Sequence, residues 1–134
     1  MPTVGRFVTD PRTGARCQVT LDDGEQVVVN HANGDVGGGL LTIERETRGG
    51  RSSERVFRCD LDTPEGQGLR RGLVRGAEPG TTSATPLWAL VQFVKSAGTL
   101  AELRSRCAKL ALAGRAAADP ANPYEEASGW LRSR

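Results

Sequence analysis

Short β-rich runs, separated by turn chemistry at intervals of about ten residues, fill residues 1–61, and that rhythm commits the chain to antiparallel neighbours joined by hairpins. Five strands fit. Val4–Thr9 runs into Asp10-Pro11-Arg12-Thr13-Gly14, where Pro presets the turn φ and Gly tolerates a positive one. Ala15–Leu21 alternates, with Cys17, Val19 and Leu21 on one face and Arg16, Gln18 and Thr20 on the other, so one face belongs to a core and one to water. Asp22-Asp23-Gly24 is a tight hairpin signal. The next strand, Glu25–His31, carries Val27, Val28 and Val29 in succession, which predicts a central strand covered on both faces. His31 to Gly39 holds four glycines and an Asn-Gly step and reads as a long flexible connection. Leu40–Glu46 then places Leu41 and Ile43 inward and Thr42 and Glu44 outward. Arg48-Gly49-Gly50-Arg51 turns the chain into Arg55–Leu61, where Phe57, Cys59 and Leu61 face the core and Arg58 and Asp60 face away.

Residues 62–83, rich in Gly, Pro and Thr with a basic stretch Leu69–Arg75, read as a linker with room for one short strand around 69–74. The period changes at Thr85. Thr85-Pro86 supplies a cap and a Pro at the first helical position, Leu87–Val94 follows with almost no polar face, and Gly98 closes the helix. Thr99-Leu100-Ala101-Glu102 is a capping box for a second helix, with Leu100, Leu103, Cys107 and Leu110 as its apolar stripe and Gly114 as its end. Asn122-Pro123-Tyr124-Glu125 repeats the grammar for a third helix ending at Trp130-Leu131. The expected fold is α+β: a β-meander over 1–61, a curved sheet or a small SH3-like or OB-like barrel; a linker over 62–83; and about three helices over 84–134 that pack on the sheet or on a second chain.

The chemistry on offer is sparse. Cys17, Cys59 and Cys107 are an odd number without a C-x-x-C pair, which argues against a disulfide framework or a zinc knuckle and for buried, reduced thiols. No P-loop and no calcium-loop or zinc-ligand spacing occurs, so no cofactor and no metal are expected. Gly66-Gln67-Gly68-Leu69-Arg70-Arg71-Gly72 misses the dinucleotide fingerprint by one residue and lacks the enclosing βαβ unit. No apolar run approaches a membrane span and the start of the chain has no signal-like h-region, so a cytoplasmic protein without membrane partners is expected. His31, the one histidine, stands at a strand end beside the glycine-rich connection, with Asn30, Asn33 and Asp35 as neighbours. Its bland reading is an exposed loop-edge residue; its functional reading is a small enzyme or ligand site built around it.

Arginine supplies the remaining signal. Arg45, Arg48, Arg51, Arg55 and Arg58 spread along one hairpin, with Arg70, Arg71 and Arg75 downstream, a pattern that could follow a phosphate backbone. Glu44, Glu46, Glu54 and Asp60 are interleaved, only 4% of the chain is aromatic, and the net charge is only +2, all of which suit a salt-bridged wet face better. The helical half offers Trp88, Val91 and Phe93, which either cover the sheet or form an interface. The expected function is therefore a non-catalytic binding or adaptor module of bacterial type that self-associates. Nucleic-acid binding through Arg45–Arg58 is the first alternative, and a site near His31 the second.

Overall fold

The computed structural model describes residues 2–10, 14–32, 38–47, 53–77 and 86–118. Five strands, β1 (Thr3–Asp10), β2 (Gly14–Thr20), β3 (Gln26–Ala32), β4 (Leu40–Glu46) and β5 (Ser53–Asp60), are followed by α1 (Pro64–Ala77), α2 (Pro86–Ala97) and α3 (Leu100–Ala118). The strands form one antiparallel sheet in sequence order, with β1 and β5 at its edges and no closure into a barrel.

Alternation decides the covered face. Cys17 and Val19 of β2, Val27 and Val29 of β3, Leu41 and Ile43 of β4 and Phe57 and Cys59 of β5 point the same way and are buried. Against them lies α2, whose Leu87, Leu90, Val91, Phe93 and Val94 are buried, and behind it α1 and α3 pack on each other and on β5. β3 is central as the valine run predicts, but among the described residues no element covers its outer side, where Val28 is only half-buried.

Residues 64–77 are helical, which corrects the reading of this stretch as a linker with a hidden strand. The start is capped: the Thr63 hydroxyl accepts from Gly66 N (3.0 Å), Pro64 takes the first helical position and Glu65 adds an acid to the first turn. Its glycines are there for contact. A Cβ on Gly66 would stand 1.9 Å from the Asp60 carbonyl oxygen, and Gly68 and Gly72 are buried on the same helix. From α3, Gly114 faces Leu69, to whose Cβ an added methyl would come within 3.2 Å. That residue is interior to α3, which runs on to Ala118 rather than ending at Gly114. Of the helices expected after residue 84, the two over 86–97 and from 99 onward are present, and the one over 122–131 lies outside the described residues.

A latch ties the two halves together. The β2–β3 turn reaches the α2–α3 corner, where Asp22 N donates to the Gly98 carbonyl (2.8 Å) and Asp23 Oδ2 accepts from Leu100 N (2.9 Å). Thr99 caps α3 through its hydroxyl, which accepts from Glu102 N at 3.3 Å, the backbone-facing half of the expected capping box. The hydrogen bond from Leu100 N, helped by one from Glu25 N, holds the Asp23 carboxyl below the usual carboxylate range.

Two outcomes follow for stability. Gly66→Ala, with no space for a methyl against fixed backbone, should cost about 3 kcal/mol or more in urea unfolding, and Gly114→Ala, which needs α1 to give a few tenths of an ångström at Leu69 Cβ and the Glu65 carbonyl, about 1 kcal/mol. Because the Asp23 pKa is depressed by folding, its stabilisation is complete above the unfolded value of about 3.9 and is lost as pH falls through the folded value. Asp23→Ala should cost about 1 kcal/mol near neutral pH, as loss of a helix cap does, and its stability should fall less than wild type between about pH 5 and 2.

Candidate functional site

With one face under the helices, the other face of the sheet is the one that no described element covers. Register assigns its residues. Val8, Arg16, Asn30, Thr42 and Arg58 form one cross-strand row from edge to edge, and Gln18, Val28, Glu44 and Arg55 form the next. Two adjoining depressions open on these rows. The larger, of about 580 Å³, is lined by Gly5, Arg6, Val8, Arg16, Cys17, Gln18, Val28 and Glu46; the smaller, of about 220 Å³, by Arg16, Val28, Asn30, Thr42 and Glu44. They share Arg16 and Val28. Thr42, at the floor of the smaller one, is only 6% exposed.

Two β-bulges set this surface. Gly5 and Arg6 both fall opposite Gln18, because Val4 pairs with Val19 and Phe7 with Cys17; Val56 is the extra residue of β5, since Ile43 pairs with Phe57 and Glu44 with Arg55. Each bulge reverses the alternation beyond it. Strict period two would send Arg6 to the side of Val4 and Arg55 to the side of Phe57, both towards the helices; the extra residues place both guanidinium groups on the open face.

The polar groups divide into engaged and unengaged sets. Gln18 donates from Nε2 to Gln26 Oε1 (3.0 Å) and to Glu46 Oε2 (3.3 Å), Ser53 donates to Glu44, and Arg55 stands 3.8 Å from Glu44. Arg6, Arg16 and Arg58 have no hydrogen-bond or ion-pair partner among the described residues. The open face therefore presents cations without counterions at both edges and satisfied acids between them.

The expected arginine hairpin is not one surface. Arg45 lies on the helix side, where it grips Glu25 with Nε at 2.7 Å and Nη2 at 3.0 Å and reaches Glu54, which Arg104 of α3 also holds. Arg55 and Arg58 are on the open face, and Arg48 and Arg51 lie outside the described residues. Arg70 and Arg71 belong to α1, away from the sheet's open face; the Arg70 Nε is buried without a partner among the described residues.

His31 is buried at 8% exposure, not loop-edge and exposed, because its register with Ala15 and Leu41 turns it to the covered face. Its Nε2 donates to the Gly38 carbonyl at 2.7 Å, and Leu61 N donates to that of Gly39 at 2.8 Å, so the ring pins the far end of the connection that leaves β3. Val91 and Phe93 are core residues and Trp88 is half-buried, so α2 is occupied in covering the chain's own sheet. All three cysteines are free and buried, as expected. Burial pushes the Cys59 thiol up to about 11 and the Cys107 thiol to about 12, and raises Cys17, whose Sγ donates to the Gly5 carbonyl.

Among the described residues, no three His, Cys, Asp or Glu side chains come together to hold a metal ion, and no helix is long and apolar enough to cross a membrane. Comparison of the chain with known protein families, with curated proteins and with solved structures finds no match.

The thiols offer a direct check on this arrangement. Buried and protonated, they should consume far less than one equivalent of Ellman's reagent within minutes at pH 7.5, and three equivalents once the chain is unfolded in guanidinium.

Proposed function

We propose that the protein is a non-catalytic binding module whose partner docks on the open face of the sheet. The observation that carries this reading is the pair of adjoining depressions on that face, the smaller lined by Thr42 and Asn30 and the larger running to the β1 edge, with the guanidinium groups of Arg6 and Arg16 unpaired among the described residues. Planar donors, amides, a hydroxyl and two valines are recognition chemistry: they orient a ligand by hydrogen bonds and cover its apolar parts. Of the groups that the sequence offered for proton or acyl transfer, the imidazole is engaged on the Gly38 carbonyl and the thiols are buried, including Cys17, which reaches the lining of the larger depression with its Sγ on the Gly5 carbonyl.

The nucleic-acid reading draws support from Arg55 and Arg58, which share the open face with Arg16. Glu44 and Glu46 stand on the strand between them, and Arg45 is turned to the other side, so a polyanion laid across the strands would meet carboxylates midway. Self-association through α2 has less support, given the burial of Val91 and Phe93.

An amide-resolved titration of labelled protein tests the reading with a panel of peptides, oligonucleotides and small polar fragments. Ligands that bind should shift the amides of residues 16, 18, 28, 30 and 42, and Asn30→Trp, which fills the depression without entering the core, should weaken them about tenfold or more. Ligands whose shifts map to α1 or α3 and survive Asn30→Trp overturn it.

A further inference from the structure

The open face is uneven, and its β1 end differs from the rest. Arg6 and Arg16 both line the larger depression, neither has a hydrogen-bond or ion-pair partner among the described residues, and Val8 and Val28 supply its apolar wall. The one carboxylate lining it, Glu46, comes from β4 and accepts a hydrogen bond from Gln18. This depression abuts a sheet edge, because among the described residues β1 pairs only with β2. Beyond the bulge that edge is apolar on both sides: Phe7 is 44% exposed on the helix side and Val8 40% exposed on the open side. Unpaired backbone groups flanked by such residues are a template for another strand.

We propose that β1 accepts an extended acidic peptide segment as a sixth strand, with one carboxylate on the open face held between Arg6 and Arg16. The proposal rests on the reading of this face as the binding surface and names its occupant. A strand supplies what the edge lacks: main-chain groups for the free N–H and C=O row, and alternating side chains that cover Phe7 on one face and Val8 on the other. Guanidinium forks select a carboxylate over an amide, and the meeting of just two of them in the larger depression, with Glu44 and Glu46 further along the face, matches a single acid in a peptide better than a chain of phosphates. The bulge at Gly5 and Arg6 limits regular pairing to the residues from Phe7 onward, so a short segment suffices.

The test uses the full chain and a fluorescein-labelled hexapeptide of alternating Val and Thr with one central Glu, followed by polarisation at low salt. The Glu peptide should bind, its Gln counterpart about tenfold more weakly, and Arg6→Ala and Arg16→Ala should each weaken the Glu peptide by a similar factor while leaving the Gln peptide and the melting temperature almost unchanged. Because a strand pairs through every second N–H, N-methylating alternate residues should abolish binding in one phase and spare it in the other. No binding of the Glu peptide below millimolar concentration, equal binding of the Gln peptide, or indifference to N-methylation in both phases overturns the proposal. A homodimer of the free protein that Val8→Lys dissociates also overturns it, since a second copy would then occupy the edge, as does salt-steep oligonucleotide binding that requires the same two arginines. If the peptide fails while other ligands still shift residues 28, 30 and 42, this occupant alone is rejected and the open face stands as the site.

Discussion

A five-stranded open sheet cannot keep both faces in water, because alternation gives it one apolar side, and α1, α2 and α3 serve to cover that side. The turn after β5 brings the chain back on itself so tightly that Gly66 touches the Asp60 carbonyl, and this close approach directs α1 under the sheet's edge. α1 then provides the surface on which α3 packs, with Leu69 against Gly114, and α2 fits across β2 and β3. The Asp22–Asp23 turn holds the α2–α3 corner from the opposite end. The open face is what remains when this covering is complete, so the position of the candidate site follows from the same burial that stabilises the fold.

The sheet was legible in the sequence because period two, turn residues and burial all agree along it. β3 was identifiable as central from Val27–Val29, yet the same run suggested two covered faces. Val28 instead sits half-buried in a depression with Arg16 and Asn30 beside it, an environment that a one-letter pattern cannot tell from a second layer. The helix over 64–77 shows the opposite failure. Its start carries the same Thr-Pro signal as the helix after Thr85, with an acid in the first turn, but the glycines at 66, 68, 72 and 76 outweigh it on intrinsic propensity, at about 1 kcal/mol each. Spacing was the missed signal. Glycines at 68, 72 and 76 recur every four residues and so line one helix face, a pattern that lets a neighbouring backbone approach and that a flexible linker has no reason to keep.

The site was legible in parts. Arg16, Gln18, Thr42, Glu44 and Arg58 fall on the outer face by simple alternation. Arg45 could not be sorted, because the acids that hold it, Glu25 and Glu54, sit on different strands and become neighbours only through register. His31 misled for a related reason: its place beside a glycine-rich connection suggested exposure, while its register with Ala15 and Leu41 sends the ring inward. Arg6 drew no attention at all, since without the bulge it belongs with Val4, on the side that must be apolar.

The two bulges give this surface its coherence. Both lie on edge strands, both leave the three central strands regular, and both move an arginine from the covered side to the open one: Arg6 on β1 and Arg55 on β5. In each strand the extra residue lets the apolar neighbours keep the covered side, Val4 and Phe7 on β1 and Phe57 on β5, while the arginine turns to the open one. The consequences at the two edges diverge. On β5 the relocated Arg55 meets Glu44, although Arg58 on the same face has no partner among the described residues, while on β1 neither the relocated Arg6 nor Arg16 beside it has one among them. Charge on a strand edge works against pairing with a like-charged or neutral strand, so unanswered cations beside exposed apolar side chains restrict pairing at β1 to a strand that brings an acid. Bulges of the same kind thus leave a paired relocated arginine on β5 and, on β1, an unpaired one that lines a depression together with Arg16.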